Sequence, residues 1–233
     1  MTLVTRDSLA ATLDAVNEAF FFGRSPSKTR REEAAGWIAG RQGLPGAYVG
    51  MFAPTEKDRR EGIRLFTGES FTTRAGTAHV LGEEACRALI LLDVPRASVC
   101  DALARATEGM LERLRAAEQR ERNMGRPWLG QYCCGKCTAA LWRHLAAGGL
   151  EDPERHLAAG IEALRLHRDG SGKWRRYPFY YTVLALSEMD GSLAIDELRY
   201  AAPALQRLLG RLAAASRFAQ RRRALAERVL GKC

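Results

Sequence analysis

The chain has 233 residues, of which 46% are hydrophobic and 27% charged, and its formal net charge is +9. This composition indicates a globular chain long enough to bury a sizeable core, and it excludes an intrinsically disordered polymer. Apolar runs stay far below the ~20 residues that a transmembrane helix needs, and the first residues lack the apolar segment of a signal peptide. We therefore expect a cytoplasmic protein without a membrane-spanning segment, whose six cysteines are reduced.

Helical spacing dominates the sequence from its start. The first predicted helix has apolar residues at the spacing of one helix face, namely Leu9, Leu13, Val16 and Phe20. Gly23 ends this helix, and a short linker leads to a second helix over residues 32–40. Residues 71–77 are expected to form a loop, so that Glu83 and Glu84 lie in the first turn of a helix starting at residue 82. Alternating β-branched residues, the pattern of strands, are not found between turn signals.

Three later segments share one plan and predict the architecture. Each starts with a helix rich in Ala and Leu, turns, and returns as a second helix, and these hairpins cover residues 82–117, 133–167 and 179–209. Thr138 and Thr182 occupy like positions 44 residues apart, a period typical of helical-pair repeats. We therefore predict one all-α domain over 1–233, an array of helical hairpins with a basic C-terminal helix over 204–230. An irregular helical bundle is the alternative.

The connectors between these helices combine glycine with an aromatic residue. The pattern recurs over residues 42–48, 125–132 and 169–174, and the last two carry Trp128 and Trp174. Glycine adopts backbone conformations that other residues avoid, and the aromatic ring can fill the gap between neighbouring hairpins. We interpret both tryptophans as wedges between hairpins.

The turn that carries Trp174 resembles the glutamine-tryptophan repeat of terpene cyclases, with His167 in the place of the glutamine. Residues 179–182, followed by 186–187, resemble the repeat that supplies a zinc-binding histidine in protein prenyltransferase β subunits. Residues 135–142 are similar to the segment of those subunits that supplies an aspartate and a cysteine to zinc. The resemblance implies an α/α toroid, in which inner helices surround a cavity and outer helices enclose them. Full toroids contain more hairpins, so a reduced or incomplete ring is implied, which a second subunit could complete.

The resemblance also implies a function, and this chain departs from the family at the zinc site. Of the three zinc positions, Cys137 is retained, whereas Gly135 and Tyr181 replace the aspartate and the histidine. The acidic cluster with which cyclases protonate an alkene is absent as well. The implied function is a prenyltransferase- or terpene cyclase-like protein whose aromatic-lined cavity holds an apolar, isoprenoid-like small molecule, with no catalytic residue assigned. The residues expected to bind it are Tyr132, Cys137, Tyr180 and Tyr181.

The cysteines at positions 133, 134 and 137 form a dense group of metal-ligating residue types. Cys133 and Cys137 are four residues apart, which places them on one side of a helix as candidate zinc ligands. Further ligands would come from elsewhere, such as His79 or Cys86, because His144 lies about 16 Å further along the helix axis. Two other interpretations stay open: small core residues, or reactive thiols for nucleophilic or redox chemistry at a helix N-terminus.

The charge of the chain is concentrated at its basic end. From residue 207 onward eight lysines and arginines stand against Glu227 alone, so this end carries +7 and the preceding residues +2. A uniformly basic nucleic-acid-binding protein lacks this asymmetry, so nucleic acid stays an open but secondary partner.

Within this basic end, Arg217, Arg221 and Arg228 share one helix face. The adjacent apolar stripe consists of Phe218, Leu225 and Val229. We expect the stripe to dock on the body of the protein and to leave the arginines exposed, either as an anion site for an acidic partner or diphosphate or as a solvated face. The alternative function is therefore a non-enzymatic helical-repeat interaction module that binds an anionic partner through these arginines.

Overall fold

The computed structural model describes residues 2–125, 132–210 and 216–233 and shows an all-α protein, as predicted. Over these ranges the helices are α1 Leu9–Phe21, α2 Lys28–Ala39, α3 Glu56–Glu61, α4 Arg74–Leu92, α5 Ala97–Asn123, α6 Gly135–Ala146, α7 Pro153–Arg165, α8 Phe179–Glu188, α9 Gly191–Leu209 and α10 Arg217–Leu230. Two short strands, β1 Ile63–Arg64 and β2 Ser70–Phe71, pair antiparallel. With two residues each, they are too short to show an alternating sequence pattern. None of the helices in the described ranges is long and apolar enough to cross a membrane.

Helices α4, α6 and α8 form the centre of the molecule, and α6 packs against both of the others. Ten of the twelve residues of α6 are buried, whereas only six of the 27 residues of α5 are buried. A helix that is buried on nearly all sides belongs to the core, and one with a single apolar stripe lies at the surface. The Ala- and Leu-rich first helix of each predicted hairpin is thus the one that enters the core.

The three predicted hairpins are present as α4–α5, α6–α7 and α8–α9, and in each pair the second helix packs on the first. Between α4 and α5, Asp93 takes the left-handed backbone conformation with φ 48°, which ends α4 and lets the chain reverse. Helix α7 also contacts α9, and α10 packs on α8 and α9. Closure of the hairpins into a toroid stays a prediction from the resemblance.

Helix α4 begins eight residues before its predicted start, because two glycines that look like loop residues serve close packing instead. A Cβ added to Gly76 would lie 1.9 Å from a ring carbon of Phe71, and one added to Gly82 would lie 2.6 Å from the terminal methyl carbon of Met51. Both positions therefore need glycine for space rather than for a turn. The two glutamates that follow Gly82 lie in the middle of a buried helix, and the prediction of a first-turn position was wrong.

The basic helix is shorter than the predicted 204–230. Residues 204–209 belong to α9, and the basic helix α10 begins at Arg217. Ser216 precedes it in an extended conformation, and its hydroxyl accepts a 3.2 Å hydrogen bond from the backbone N–H of Ala219. A serine N-cap of this kind sets the start of a helix, so α9 and α10 are separate elements.

Trp174 is buried in the turn that follows α7. Its indole N–H donates a 2.8 Å hydrogen bond to the buried carboxylate of Glu197 in α9. Its ring stacks on Phe179 of α8 with 6.2 Å between centroids. The indole thus fills the space between the turn, α8 and α9, as a wedge does. The second tryptophan interpreted as a wedge, Trp128, lies outside the described residues.

Candidate metal centre

The start of α6 brings three cysteines together in a short segment. Cys133 lies in a bend before the helix, Cys134 is its N-cap residue and Cys137 lies in its first turn. Cys133 and Cys134 are exposed, and Cys137 is fully buried. At Gly135, the first helical residue, an added Cβ would lie 2.2 Å from the carbonyl oxygen of Arg176. The turn after α7 can approach the cysteines this closely because position 135 is glycine.

A histidine from α4 completes the group. A ring nitrogen of His79 and the Sγ atoms of Cys133 and Cys137 all lie within 4.8 Å of one another. Donors that share a tetrahedral zinc ion are roughly 3.5–4 Å apart, since the bonds are about 2.0–2.3 Å long. We call this arrangement the thiol–imidazole cluster. Small side-chain rotations would bring its three donors to metal-binding distances.

Two residues, His79 and Cys86, were predicted as sources of a further ligand, and the structure brings one of them to the thiols. His79 is a member of the cluster, whereas Cys86, seven residues further along α4, is not in the group found within the described residues. A shared helix face does not explain why Cys133 and Cys137 meet, because Cys133 precedes α6. The bend before the helix turns its thiol toward the others.

Aromatic rings fix the orientation of His79. Its ring stacks on Tyr48 with 4.3 Å between centroids, and Tyr132 packs edge-on against it at 4.5 Å. The hydroxyl oxygens of these two tyrosines are 3.0 Å apart. The His79 side chain is buried, and its Nε2 has no hydrogen-bond partner among the described residues. The two tyrosines therefore hold the buried imidazole in one orientation beside the thiols.

Glu83 lies next to His79 in a fully buried position. Its Oε1 is 3.6 Å from Nε2 of His79, and its Oε2 is 2.8 Å from Nδ1 of His144. Burial by itself would raise the pKa of the Glu83 carboxyl, but the two histidines outweigh it and hold that pKa below its ordinary value of 4.5. A carboxylate beside one nitrogen of an imidazole orients the ring and raises the basicity of the other nitrogen, which is the one available to a metal.

The two thiols of the C-x-x-C segment have different protonation. Their Sγ atoms, in Cys134 and Cys137, are 3.5 Å apart. A hydrogen bond from the Cys137 thiol, helped by the backbone N–H groups of Cys137 and Lys136, lowers the pKa of Cys134 to about 5. The same contact, together with burial, raises the pKa of Cys137 well above its ordinary value. In the metal-free protein Cys134 is therefore the thiolate, and Cys137 is the thiol that donates to it.

Four residues were predicted to bind an apolar ligand: Tyr132, Cys137, Tyr180 and Tyr181. The first two lie at the thiol–imidazole cluster. Tyr181 is fully buried, its hydroxyl donates to Glu84, and the cavity that it lines has a volume of about 20 Å³. Such a cavity holds about one water molecule. Tyr180 is half-buried, with the guanidinium of Arg222 4.7 Å from its ring centre.

Binding of an isoprenoid-like molecule stays a prediction. A ligand that binds only the folded state raises the melting temperature once its concentration exceeds its dissociation constant. Thermal unfolding with and without prenyl diphosphates therefore tests this function, and an unchanged melting temperature would remove it.

Helix α10 docks through its apolar stripe, with Leu225 and Val229 buried, as predicted. Arg221 is buried as well, which corrects the expectation of an exposed arginine face. Its guanidinium donates to both carboxylate oxygens of Asp14, at 2.7 and 2.9 Å, and to Glu18. Because α1 supplies these two carboxylates, the charge of Arg221 is neutralised inside the protein.

The two other arginines of the predicted anion site are exposed and make different contacts. The Arg217 side chain is 64% exposed, and its Nη1 lies 3.5 Å from Oδ2 of Asp14. Arg228 donates to the backbone carbonyl of Phe21, and its guanidinium carbon lies 4.1 Å from the centre of the Phe21 ring. An anionic partner bound through this helix, and with it the interaction-module function, stays a prediction that now depends on Arg217 and Arg228.

A second buried polar cluster, which was not predicted, lies further along α6. Arg143 donates from Nε and Nη2 to Glu188 of α8, at 2.8 and 3.0 Å, and from Nη1 to Glu84 of α4. Arg87 adds a 2.8 Å hydrogen bond to Glu188, and the Tyr181 hydroxyl donates to Glu84. All four carboxylate oxygens of the two glutamates accept hydrogen bonds. We call this set the Arg143 network, and it links the three central helices by paired charges.

The fold and the cluster define an all-α protein with a thiol–imidazole site. No family model, no curated protein and no solved structure is found to match the chain. Cys134 was not among the predicted metal ligands and was considered only as a reactive thiol, although its C-x-x-C spacing with Cys137 is one that metal and redox sites share. His79 has no local signal, since it lies 54 residues before Cys133.

Proposed function

We propose that the thiol–imidazole cluster binds Zn²⁺ and that zinc binding is the function of this site. The observation that supports the proposal best is the convergence of three donors, from two separate parts of the chain, within 4.8 Å. Simple core packing does not account for the arrangement, because Cys133 is exposed although its thiol lies beside that of the buried Cys137 and the ring of the buried His79.

The donor types select the metal. Two thiolates and one imidazole suit zinc and other borderline-soft ions, whereas Ca²⁺ and Mg²⁺ require carboxylate and carbonyl oxygens. The metal-free Cys137 holds its proton because its pKa is raised. A bound metal deprotonates a coordinating thiol, so binding releases this proton and strengthens as the pH rises.

Three protein ligands leave one position of a tetrahedral site. Zinc sites with three protein ligands keep this position for water or a substrate, and structural sites close it with a fourth side chain. Cys133 and Cys134 are both exposed, so the cluster reaches the protein surface. We assign His79, Cys133 and Cys137 as the ligands and leave the fourth position to solvent.

The position of the cluster gives zinc a second effect. His79 belongs to α4, and Cys137 to α6, the central helix that packs on it. A metal held by both joins these helices in the folded state alone, so its binding free energy adds to the stability of the fold.

Metal titration of the whole protein tests the proposal. Protein freed of metal by a chelator is titrated with Zn²⁺, and with Co²⁺ as a spectroscopic probe of tetrahedral thiolate coordination. We expect about one equivalent to bind, as a single site with three protein ligands predicts. We expect Cys137→Ser, Cys133→Ser and His79→Gln each to lose most of this binding.

The chain offers its own matched controls. Cys100 and Cys233 are exposed cysteines outside the cluster, and their serine variants should bind zinc like the original protein. Binding of less than about a tenth of an equivalent, well short of a single site, would contradict the proposal. Equal losses in the Cys100→Ser and Cys137→Ser variants would do the same.

A further inference from the structure

Cys134 and Cys137 form a thiol pair that zinc binding alone does not explain. Cys134 is the exposed N-cap residue of α6, and Cys137 is buried three residues later in its first turn. Their Sγ atoms are 3.5 Å apart. Residues with this spacing at the start of a helix have Cβ atoms about 5–6 Å apart, and a disulfide needs about 3.5–4.5 Å. A small adjustment of the first turn therefore brings the two sulfurs to bonding distance.

We propose that Cys134 and Cys137 are a dithiol–disulfide couple that exchanges with the disulfide of a second molecule. Cys134 is the attacking thiol, because it is the exposed member of the pair and sits at the helix N-terminus. Cys137 is the resolving thiol, because it is buried directly behind Cys134, where a second molecule does not reach it.

The reaction balances in two exchange steps. The Cys134 thiolate attacks one sulfur of the external disulfide, a mixed disulfide forms, and the first external thiolate leaves and takes up a proton. Cys137 then loses its proton and attacks Sγ of Cys134, so that the Cys134–Cys137 bond forms and the second external thiolate leaves and is protonated. Two protein thiols are oxidised, and one external disulfide is reduced to two thiols.

The couple also controls the metal, a consequence that rests on the proposed zinc site. Cys137 is a member of both arrangements. Sulfur in a disulfide is no longer a thiolate ligand, so oxidation leaves His79 and Cys133 as the remaining ligands and releases the zinc. Metal occupancy then reports the redox state of the pair.

The couple is tested on metal-free protein, so that its result does not depend on zinc. Reduced protein is equilibrated with mixtures of reduced and oxidised glutathione, and in a second arm with a protein that carries exposed disulfides. Free thiols are then alkylated, and the links are located by peptide mass spectrometry. We expect the protein to lose two of its six alkylatable thiols and to form an internal link between Cys134 and Cys137.

Variants assign the two thiols to their steps. Cys137→Ser should accumulate a mixed disulfide on Cys134, since nothing resolves it, and Cys134→Ser should form no link to Cys137. Cys137→Ala provides the same information if the serine is not accepted in the buried site, and Cys100→Ser should behave like the original protein. Reaction in the glutathione arm alone, in the protein arm alone or in both supports the couple and identifies the source of the disulfide.

Two outcomes would overturn the couple: no Cys134–Cys137 link in either arm, or a dominant link through Cys133. Zinc release is measured separately, by a chromogenic chelator added to zinc-loaded protein during oxidation. If the link forms but the protein never held zinc, the proposed function fails and the couple stands. If zinc is bound but no link forms, the couple fails and the zinc site stands.

Discussion

Helix α6 contributes to two polar clusters, which differ in how far hydrogen bonds satisfy their carboxylates and in whether they reach the surface. In the Arg143 network all four carboxylate oxygens of Glu84 and Glu188 accept hydrogen bonds from protein donors. Beside the thiol–imidazole cluster, about 9 Å earlier along the helix axis, Oε1 of Glu83 accepts no hydrogen bond among the described residues and lies 3.6 Å from Nε2 of His79. Nε of Arg87 also has no hydrogen-bond partner among the described residues, so the two clusters differ in their carboxylates and not in every polar atom. Paired charges between helices are sufficient as structure, whereas thiols and an imidazole that reach the surface are where a ligand is expected to bind.

The largest loss of stability is expected from breaking the Arg143 network. Arg143→Met removes the central cation and leaves the buried Glu84 and the partly buried Glu188 with fewer partners, which should cost about 3–5 kcal/mol of unfolding free energy. Urea denaturation measures this loss. Arg115 is the matched control, because it pairs with Glu151 on the surface with both side chains about 70% exposed, and Arg115→Met should change stability by less than about 1 kcal/mol. Equal losses for the two variants would show that the network contributes nothing special.

The next largest change in stability is expected when zinc binds to the thiol–imidazole cluster. Zinc at 100 times its dissociation constant should raise the free energy of unfolding by about 2.7 kcal/mol. The gain should shrink as the pH falls, because the ligands must be deprotonated and the pKa of Cys137 is raised. Thermal unfolding with and without zinc, followed from pH 8 to pH 6, measures it. A gain that grows toward low pH, or that persists in Cys137→Ser, would contradict this assignment.

A smaller loss of stability is expected when acid protonates the Arg143 network of the metal-free protein. Burial would raise the pKa of Glu84, but Arg143 and Arg87 outweigh it, and the pKa ends below its ordinary value of 4.5. A lowered folded-state pKa means that the contribution is complete above pH 4.5 and is lost as the pH falls through the folded value. Urea midpoints between pH 7 and pH 3 should therefore decline mainly below pH 4.5. Glu84→Gln should flatten this decline, and an unchanged slope in that variant would refute the role of Glu84.

The smallest change in stability is expected for a residue that binds zinc but contributes little to the fold. Cys133 is exposed, so Cys133→Ser should change the stability of the metal-free protein by no more than about 0.5 kcal/mol. The same variant should lose most zinc binding if Cys133 is a ligand. Comparing its urea curve with its zinc titration distinguishes a ligand from a structural residue, and a large loss of stability without zinc would place Cys133 in the fold instead.

The hairpins could be predicted because their information is local. Ala- and Leu-rich segments followed by turns predicted α4 to α9, and the structure contains these pairs. The start of α4 could not be found in the same way, because Gly76 and Gly82 have the composition of a loop and are required by contacts with Phe71 and Met51. Local composition does not distinguish a glycine that turns the chain from one that makes room.

Only those site residues that are close together in the sequence could be predicted. The thiols at positions 133 and 137 lie in one short segment, and the sequence predicted them as ligands, but their partner His79 comes from a distant helix. Arg221 was mispredicted for the same reason, because its partners are distant in the sequence. Its position on a basic helix predicted exposure, yet Asp14 and Glu18, about two hundred residues earlier, neutralise it. Pairing across the whole chain is set by tertiary packing and leaves no trace in local spacing.

The order of the proposed ligands along the chain has a kinetic consequence. His79 precedes α5 and Cys133 follows it, so a metal held by both closes a loop of about fifty residues that contains the whole of that helix. Contacts between such distant positions tend to form late in folding, and stabilising a late contact slows unfolding more than it speeds folding. We therefore expect the dissociation rate of the metal to set how often this end of α6 opens.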